Sequence, residues 1–162
     1  WPLEMTIALN ETHRTSGAGF VVEAEQVASL MGVPLGTAGE ICRVMSRNPR
    51  KESVNVMTLL AAMCLAGKGG PDAKARALVD IFRMHDNNAG KPELTLHEAT
   101  ILIFTASKAI SGFLNTEAAL DLGNARILAE EMFASCKGCG LDGNRLLAFV
   151  KKRDLLSEAL LT

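Results

Sequence analysis

Apolar residues recur every three or four positions along most of this chain, and each run stops at a short polar break. The period predicts eight helices, over Glu4–His13, Val22–Met31, Thr37–Ser46, Val56–Ala66, Asp72–His85, Thr95–Ile110, Asn124–Cys136 and Leu146–Leu160. Thr37 is expected to cap the third, with Glu40 as the other half of a capping box. Asp72, preceded by Pro71, is expected to cap the fifth. Gly67-Lys68-Gly69-Gly70-Pro71 is the strongest punctuation in the chain and reads as a joint between halves. The expected fold class is all-α with two lobes: an N-terminal unit over 1–66, a linker over 67–72 and a C-terminal unit over 73–162.

A repeat underlies the helices. Aliphatic residues stand between them, each followed four positions later by a polar one: Val21 by Glu25, Val54 by Thr58, Leu94 by Glu98. A fourth aliphatic, Leu146, precedes the last helix. Residues Ala75 to Phe104 show the fullest version, with an apolar helix, an Asp/Asn/Gly turn, Leu94, and Glu98 opening a second apolar run. That is the helix–loop–helix order of a calcium-binding EF-hand. The reading predicts four paired hand-like units with very short β-bridges between loops, Val21 facing Val54 and Leu94 facing Leu146.

The segment LAAMCLAGKGGPDAKARALVDIFRMHDNNAGKPELTLHEATILI resembles the middle of the calcineurin regulatory subunit and neuronal calcium sensor group of the EF-hand superfamily. In that group an apolar helix closes the second hand, a Gly/Lys linker follows, and a helix ending in Phe-x-x-x-Asp opens the third. Here that signature is Phe82-Arg-Met-His-Asp86. The long interval before the fourth hand also fits this group better than evenly spaced calmodulin. The resemblance implies a calmodulin-like regulatory subunit that binds protein.

Calcium needs six to eight oxygens, from loop positions 1, 3, 5, 7 and 9 and a bidentate Glu at 12. Counted back from Val21, the first loop offers Arg14, Ser16 and Ala18, keeping Gly19 and Glu25; the second is basic, Arg47 to Val54, with Thr58 at the last position. In the third, Asp86, Asn88 and Glu98 resemble positions 1, 3 and 12, but Asp86 to Glu98 spans thirteen residues rather than twelve. Asp86, Asn88 and Glu98 are the candidate metal ligands; the alternative is that Asp86 and Asn88 only brace a turn. In the fourth, position 12 falls on Ala148, Phe149 or Val150, none of which ligates. No cofactor is expected, one weakly bound calcium ion in the third loop being the alternative.

Composition narrows the function classes. Net charge is −1, which gives no basic footprint for nucleic acid. The chain is 48% hydrophobic, yet no apolar run reaches the roughly 18–20 residues that span a bilayer. A soluble globular protein is therefore expected, and Trp1 in place of Met suggests a processed chain or a fragment. Three histidines, His13, His85 and His97, and no H-E-x-x-H, G-x-S-x-G or P-loop pattern argue against an enzyme. Cys42 and Cys64 lie in apolar helical runs as buried thiols; Cys136-Lys-Gly-Cys139 is a C-x-x-C open to zinc or redox use. The expected partner is an amphipathic helix of a larger polypeptide, in a cytoplasmic, cytoskeleton-associated setting. The candidate groove is Met57, Leu60, Met63, Ile101, Phe104, Met132 and Phe149, with Met5, Met31, Met45 and Met84 as further adaptable lining; core packing is the competing role for all of them. The amphipathic last helix is expected to dock in its own lobe or on another chain.

Overall fold

The computed structural model describes residues 1–17, 19–46, 48, 50, 52–84, 92–114, 119–136 and 140–153. Among these are eight helices: α1 (Leu3–Ser16), α2 (Ala24–Met31), α3 (Leu35–Ser46), α4 (Val56–Ala66), α5 (Pro71–Phe82), α6 (Leu96–Phe113), α7 (Leu122–Ser135) and α8 (Gly143–Arg153). Two short strands, β1 (Val21–Glu23) and β2 (Ser53–Asn55), pair antiparallel. No helix of the described residues is long and apolar enough to cross a membrane.

One helix is apolar all round. Every residue of α4 from Val56 to Leu65 is buried, the pattern of a helix enclosed by its neighbours rather than laid on a surface. It packs against α1, α5 and α6, while α6 in turn packs against α3 and α7, and α5 against α8. A single hydrophobic cluster runs from Leu3 and Val22 through Leu60 and Phe82 to Leu102, Leu146 and Val150. The outer helices are more polar; α1 buries only Leu3, Thr6 and Asn10, one narrow face at helical spacing.

Four times, a buried aliphatic on a strand or bridge is followed by a residue that starts a helix. Val22 and Val54 lie opposite each other in the β1–β2 ladder, at 2% and 3% exposure. Leu94 and Leu141 form an isolated antiparallel bridge, each amide donating to the other's carbonyl at 2.8 and 3.3 Å. The next residues are the N-caps. Glu23 donates its amide to Gln26 Oε1 (2.9 Å), and Asn55 Oδ1 accepts from Met57 N and Thr58 N. Thr95 forms a reciprocal box with Glu98, and Asp142 Oδ1 accepts from Arg145 N at 2.9 Å. These contacts satisfy amides that the first turn of a helix leaves without partners.

Several sequence expectations shift. The residue facing Val54 is Val22, not Val21, which is 61% exposed; in a strand one step exchanges the faces, so only one of two adjacent valines can enter the core. The partner of Leu94 is Leu141, not Leu146, which lies inside α8. Helix α3 begins before Thr37, because Ala38 N donates to Pro34 O at 3.0 Å. Gly70, not Asp72, precedes α5, with Lys74 N donating to Gly70 O. Pro71 takes the first helical position, where its missing N–H costs nothing, and Asp72 sits in the first turn beside the positive end of the helix dipole. The predicted last helix runs beyond Arg153, outside the described residues.

Lys74 was not singled out by the sequence. It is 2% exposed and donates from Nζ to Leu65 O at 2.9 Å, at the C-terminal end of α4. A cation there meets the negative end of the α4 dipole and satisfies a carbonyl the helix cannot. Cys64 Sγ completes the link by donating to Lys74 O at 3.4 Å.

Candidate functional site

Two regions carry chemistry worth weighing: the helix-entry loops and a groove beside α3. In the loops, the residue three places beyond each N-cap is Gln26, Thr58, Glu98 or Arg145. Glu98 is 1% exposed. Its Oε1 accepts from Met84 N at 2.6 Å, and its Oε2 accepts from Thr95 N at 2.8 Å and Thr95 Oγ1 at 2.9 Å. The carboxylate thus ties the end of α5 to the start of α6, and a metal would compete with three donors for it. Asp86 and Asn88, the other candidate ligands, lie outside the described residues. Among those described, no group of three or more His, Cys, Asp or Glu is placed to hold a metal ion.

Arg145 occupies the matching place in the last unit. Its Nη1 donates to Gly140 O and stands 3.5 Å from Glu93 Oε1, on the opposite side of the Leu94–Leu141 bridge. Cys136 is a free, half-buried thiol at the end of α7, with Ser135 Oγ 3.9 Å from its sulfur. Cys139 lies outside the described residues.

Cys42 and Cys64 are both fully buried and free. Burial pushes the Cys64 thiol up to about 12, with the Lys74 charge pulling weakly the other way. Burial also raises Cys42, and the carboxylates of Glu23 and Glu52 add to the shift. Neither thiol offers an accessible nucleophile at neutral pH.

The groove is a cavity of about 370 Å³ between α3, α4 and the end of α6. Leu59, Ala62 and Met63 of α4 line it from one side, Ile41, Val44 and Met45 of α3 from another. Trp1, Met31, Ala66 and Phe113 complete the apolar lining, and Thr37 and Glu40 are its polar members. Val44 and Phe113 are each about half exposed, at 47% and 49%. Trp1 is held by its ring N–H, which donates to Thr6 Oγ1 at 3.1 Å.

Of the groove residues expected from sequence, Met63 lines this cavity. Met57, Leu60 and Met132 are buried in the core, at 8%, 1% and 2% exposure. Ile101 and Phe104 pack half-buried against that core, with Lys108 Nζ 4.1 Å above the Phe104 ring. Phe149, half-buried on α8, lines a separate depression with Ser135, Arg145 and Lys152. Met31 and Met45, named with the other methionines, do reach the α3–α4 groove, whereas Met5 and Met84 are exposed elsewhere.

The missed signal was on α3. Ala38 and Cys42 form its core-facing stripe, and Ile41, Val44 and Met45 form a second apolar stripe at i, i+3, i+4. Ile41 and Met45 also pack against the core, while Val44 stands 47% exposed at the edge of the groove. No family model matches the chain, and neither a curated protein nor a solved structure shows significant similarity to it.

Proposed function

We propose that this chain is a non-catalytic, calmodulin-like binding module: four EF-hand-like units in two pairs that engage an amphipathic helix of a larger partner without calcium. The observation that carries the reading is the apolar groove between α3 and α4, edged by half-exposed Val44 and Phe113. In calcium-responsive hands such a methionine-bearing groove opens on ion binding; on this reading packing takes the ion's place, because three of the four loops lack the ligating glutamate. The four aliphatic–cap units support the hand-like assignment. Gln26, Thr58 and Arg145 stand where three of the four calcium-ligating glutamates would.

A regulatory or structural subunit fits these features, since the groove offers apolar area and shape but no nucleophile or acid–base pair. An intracellular, cytoskeleton-associated setting belongs to the same proposal, supported by the free buried thiols Cys42 and Cys64.

The test is calorimetry with a synthetic amphipathic Leu/Lys helical peptide, with EDTA and then with calcium. Binding is expected to be equal in both, and Val44→Glu is expected to weaken it at least about tenfold by placing a charge in the apolar contact. Binding that requires calcium and vanishes in Glu98→Gln would instead establish the alternative, a sensor with one surviving site in the third hand. Peptide binding unaffected by Val44→Glu would remove the groove from the reading.

A further inference from the structure

We infer that Arg145 is a built-in replacement for the metal of the fourth loop, clasping the two C-terminal loops together through Gly140 and Glu93. The inference rests on the hand-like reading, in which the bridge residue is loop position eight. Leu141 then makes Gly140 position seven and Arg145 position twelve. In a calcium loop both positions ligate the ion, one through its backbone carbonyl and the other through a carboxylate. Here the position-twelve side chain is itself the cation, and it donates straight to the position-seven carbonyl.

The same guanidinium faces Glu93, which is position seven of the opposite loop, at 3.5 Å. Gly140 shows how closely the parts are fitted. A Cβ added there would lie 2.5 Å from Glu93 Oε2 and 2.7 Å from Glu93 Cβ. The Glu93 side chain therefore occupies the space a side chain at position 140 would need. Steric room, not a left-handed torsion, calls for the glycine.

Physical chemistry favours arginine for this work. A guanidinium couples a positive charge to donors in a fixed plane, and here its Nη1 faces a carbonyl and a carboxylate together. At 35% and 28% side-chain exposure the Arg145–Glu93 attraction is partly screened. The bond to Gly140 carries most of the effect, and the carboxylate orients it.

Native-state hydrogen exchange tests the clasp. The reporters are the amides of Leu94 and Leu141, which close the bridge. Ala24 and Val56, whose amides donate to Glu52 O and Phe20 O beside the β1–β2 ladder, serve as controls. Arg145→Met is expected to accelerate exchange at Leu94 and Leu141 by roughly tenfold or more while leaving Ala24 and Val56 unchanged. Glu93→Gln is expected to give a smaller rise at the same two amides, and to keep the test open should Arg145→Met not fold. Calcium and EDTA are expected to make no difference to the wild-type rates.

Unchanged rates at Leu94 and Leu141 in both variants would overturn the clasp and leave the paired loops standing. A uniform rise at all four amides would overturn it too, by showing general instability. If Leu94 and Leu141 are unprotected in the wild type, the paired-loop reading fails first and takes the clasp with it.

Discussion

The two loop pairs solve one problem by different means. In the N-terminal pair, three residues of β1 meet three of β2, from Val21↔Asn55 to Glu23↔Ser53, and the backbone ladder carries the contact. In the C-terminal pair the described contact is a single bridge, Leu94↔Leu141, and charged side chains gather round it: Glu98 on Met84 and Thr95, Arg145 on Gly140 and Glu93. Where the ladder shrinks to one bridge, the Arg145–Glu93 ion pair adds a side-chain contact between the loops, while Glu98 braces its own unit. Helix α4 serves both, running from the β2 cap at Asn55 into contact with α5 and α6.

The strongest way to break the comparison is to attack the ladder's registry. Val22→Asp would bury a charge with no partner and is expected to cost about 3–5 kcal/mol, whereas Val21→Asp, on the exposed face, stays within roughly 0.5 kcal/mol. Chemical denaturation of the two variants checks this, and equal costs would mean the register is wrong. Next in size is an alkaline loss shared by both pairs, because Cys64 sits in α4. Its folded-state thiol titrates near 12 against an ordinary 9.0. The unfolded chain therefore gives up the proton first, and stability is intact below about pH 9 and falls as pH rises toward 12. By pH 10.5 the loss should be about 2 kcal/mol. Comparing denaturation curves of wild type and Cys64→Ala across that range isolates it; parallel curves would refute it.

How much of this was readable beforehand varies with how local the signal is. Helix α4 was predicted with its observed ends, because the Asn55 cap, ten buried residues and the Gly67 stop all lie within one window. The register of β1 was missed by one residue because Val21 and Val22 are equally apolar, and only contact with the core separates them. Leu146 stands at the start of the last apolar run and outweighs Leu141 in the sequence; the adjoining Asp142 cap is the better marker. The groove needed α3's second stripe to meet Phe113 and Trp1, three segments far apart in sequence, and no periodicity encodes that meeting. Lys74 reads as a solvated charge until the end of α4 is brought to it.

Of intermediate size is the effect of Glu98→Gln, which sharpens the contrast between backbone and side-chain solutions. The carboxylate accepts from three described donors, and an amide must turn its NH₂ toward at least one of them. A cost of roughly 2 kcal/mol is expected in EDTA, from bonds made to a charged acceptor. If Glu98 served only as a calcium ligand, the substitution would be neutral without the ion. Thermal melts in EDTA therefore separate a structural carboxylate from a metal ligand without any binding assay.

The smallest effect compares the caps themselves. Asn55 Oδ1 accepts from two amides, Met57 N at 2.9 Å and Thr58 N at 3.4 Å, and opens a helix whose walls are already buried. Asp142 Oδ1 accepts from Arg145 N at 2.9 Å, and that residue is also the one gripping Gly140. Each substitution to alanine should cost about 1 kcal/mol as a cap. Asp142→Ala should do something Asn55→Ala does not, since loosening the backbone of Arg145 also loosens its side-chain contacts. The double variant Asp142→Ala/Arg145→Met should therefore cost less than the two single losses added together, while Asn55→Ala combined with Arg145→Met should be additive. Additivity in both pairs would mean that the Asp142 cap and the arginine act independently, leaving the C-terminal pair no more interconnected than the N-terminal one.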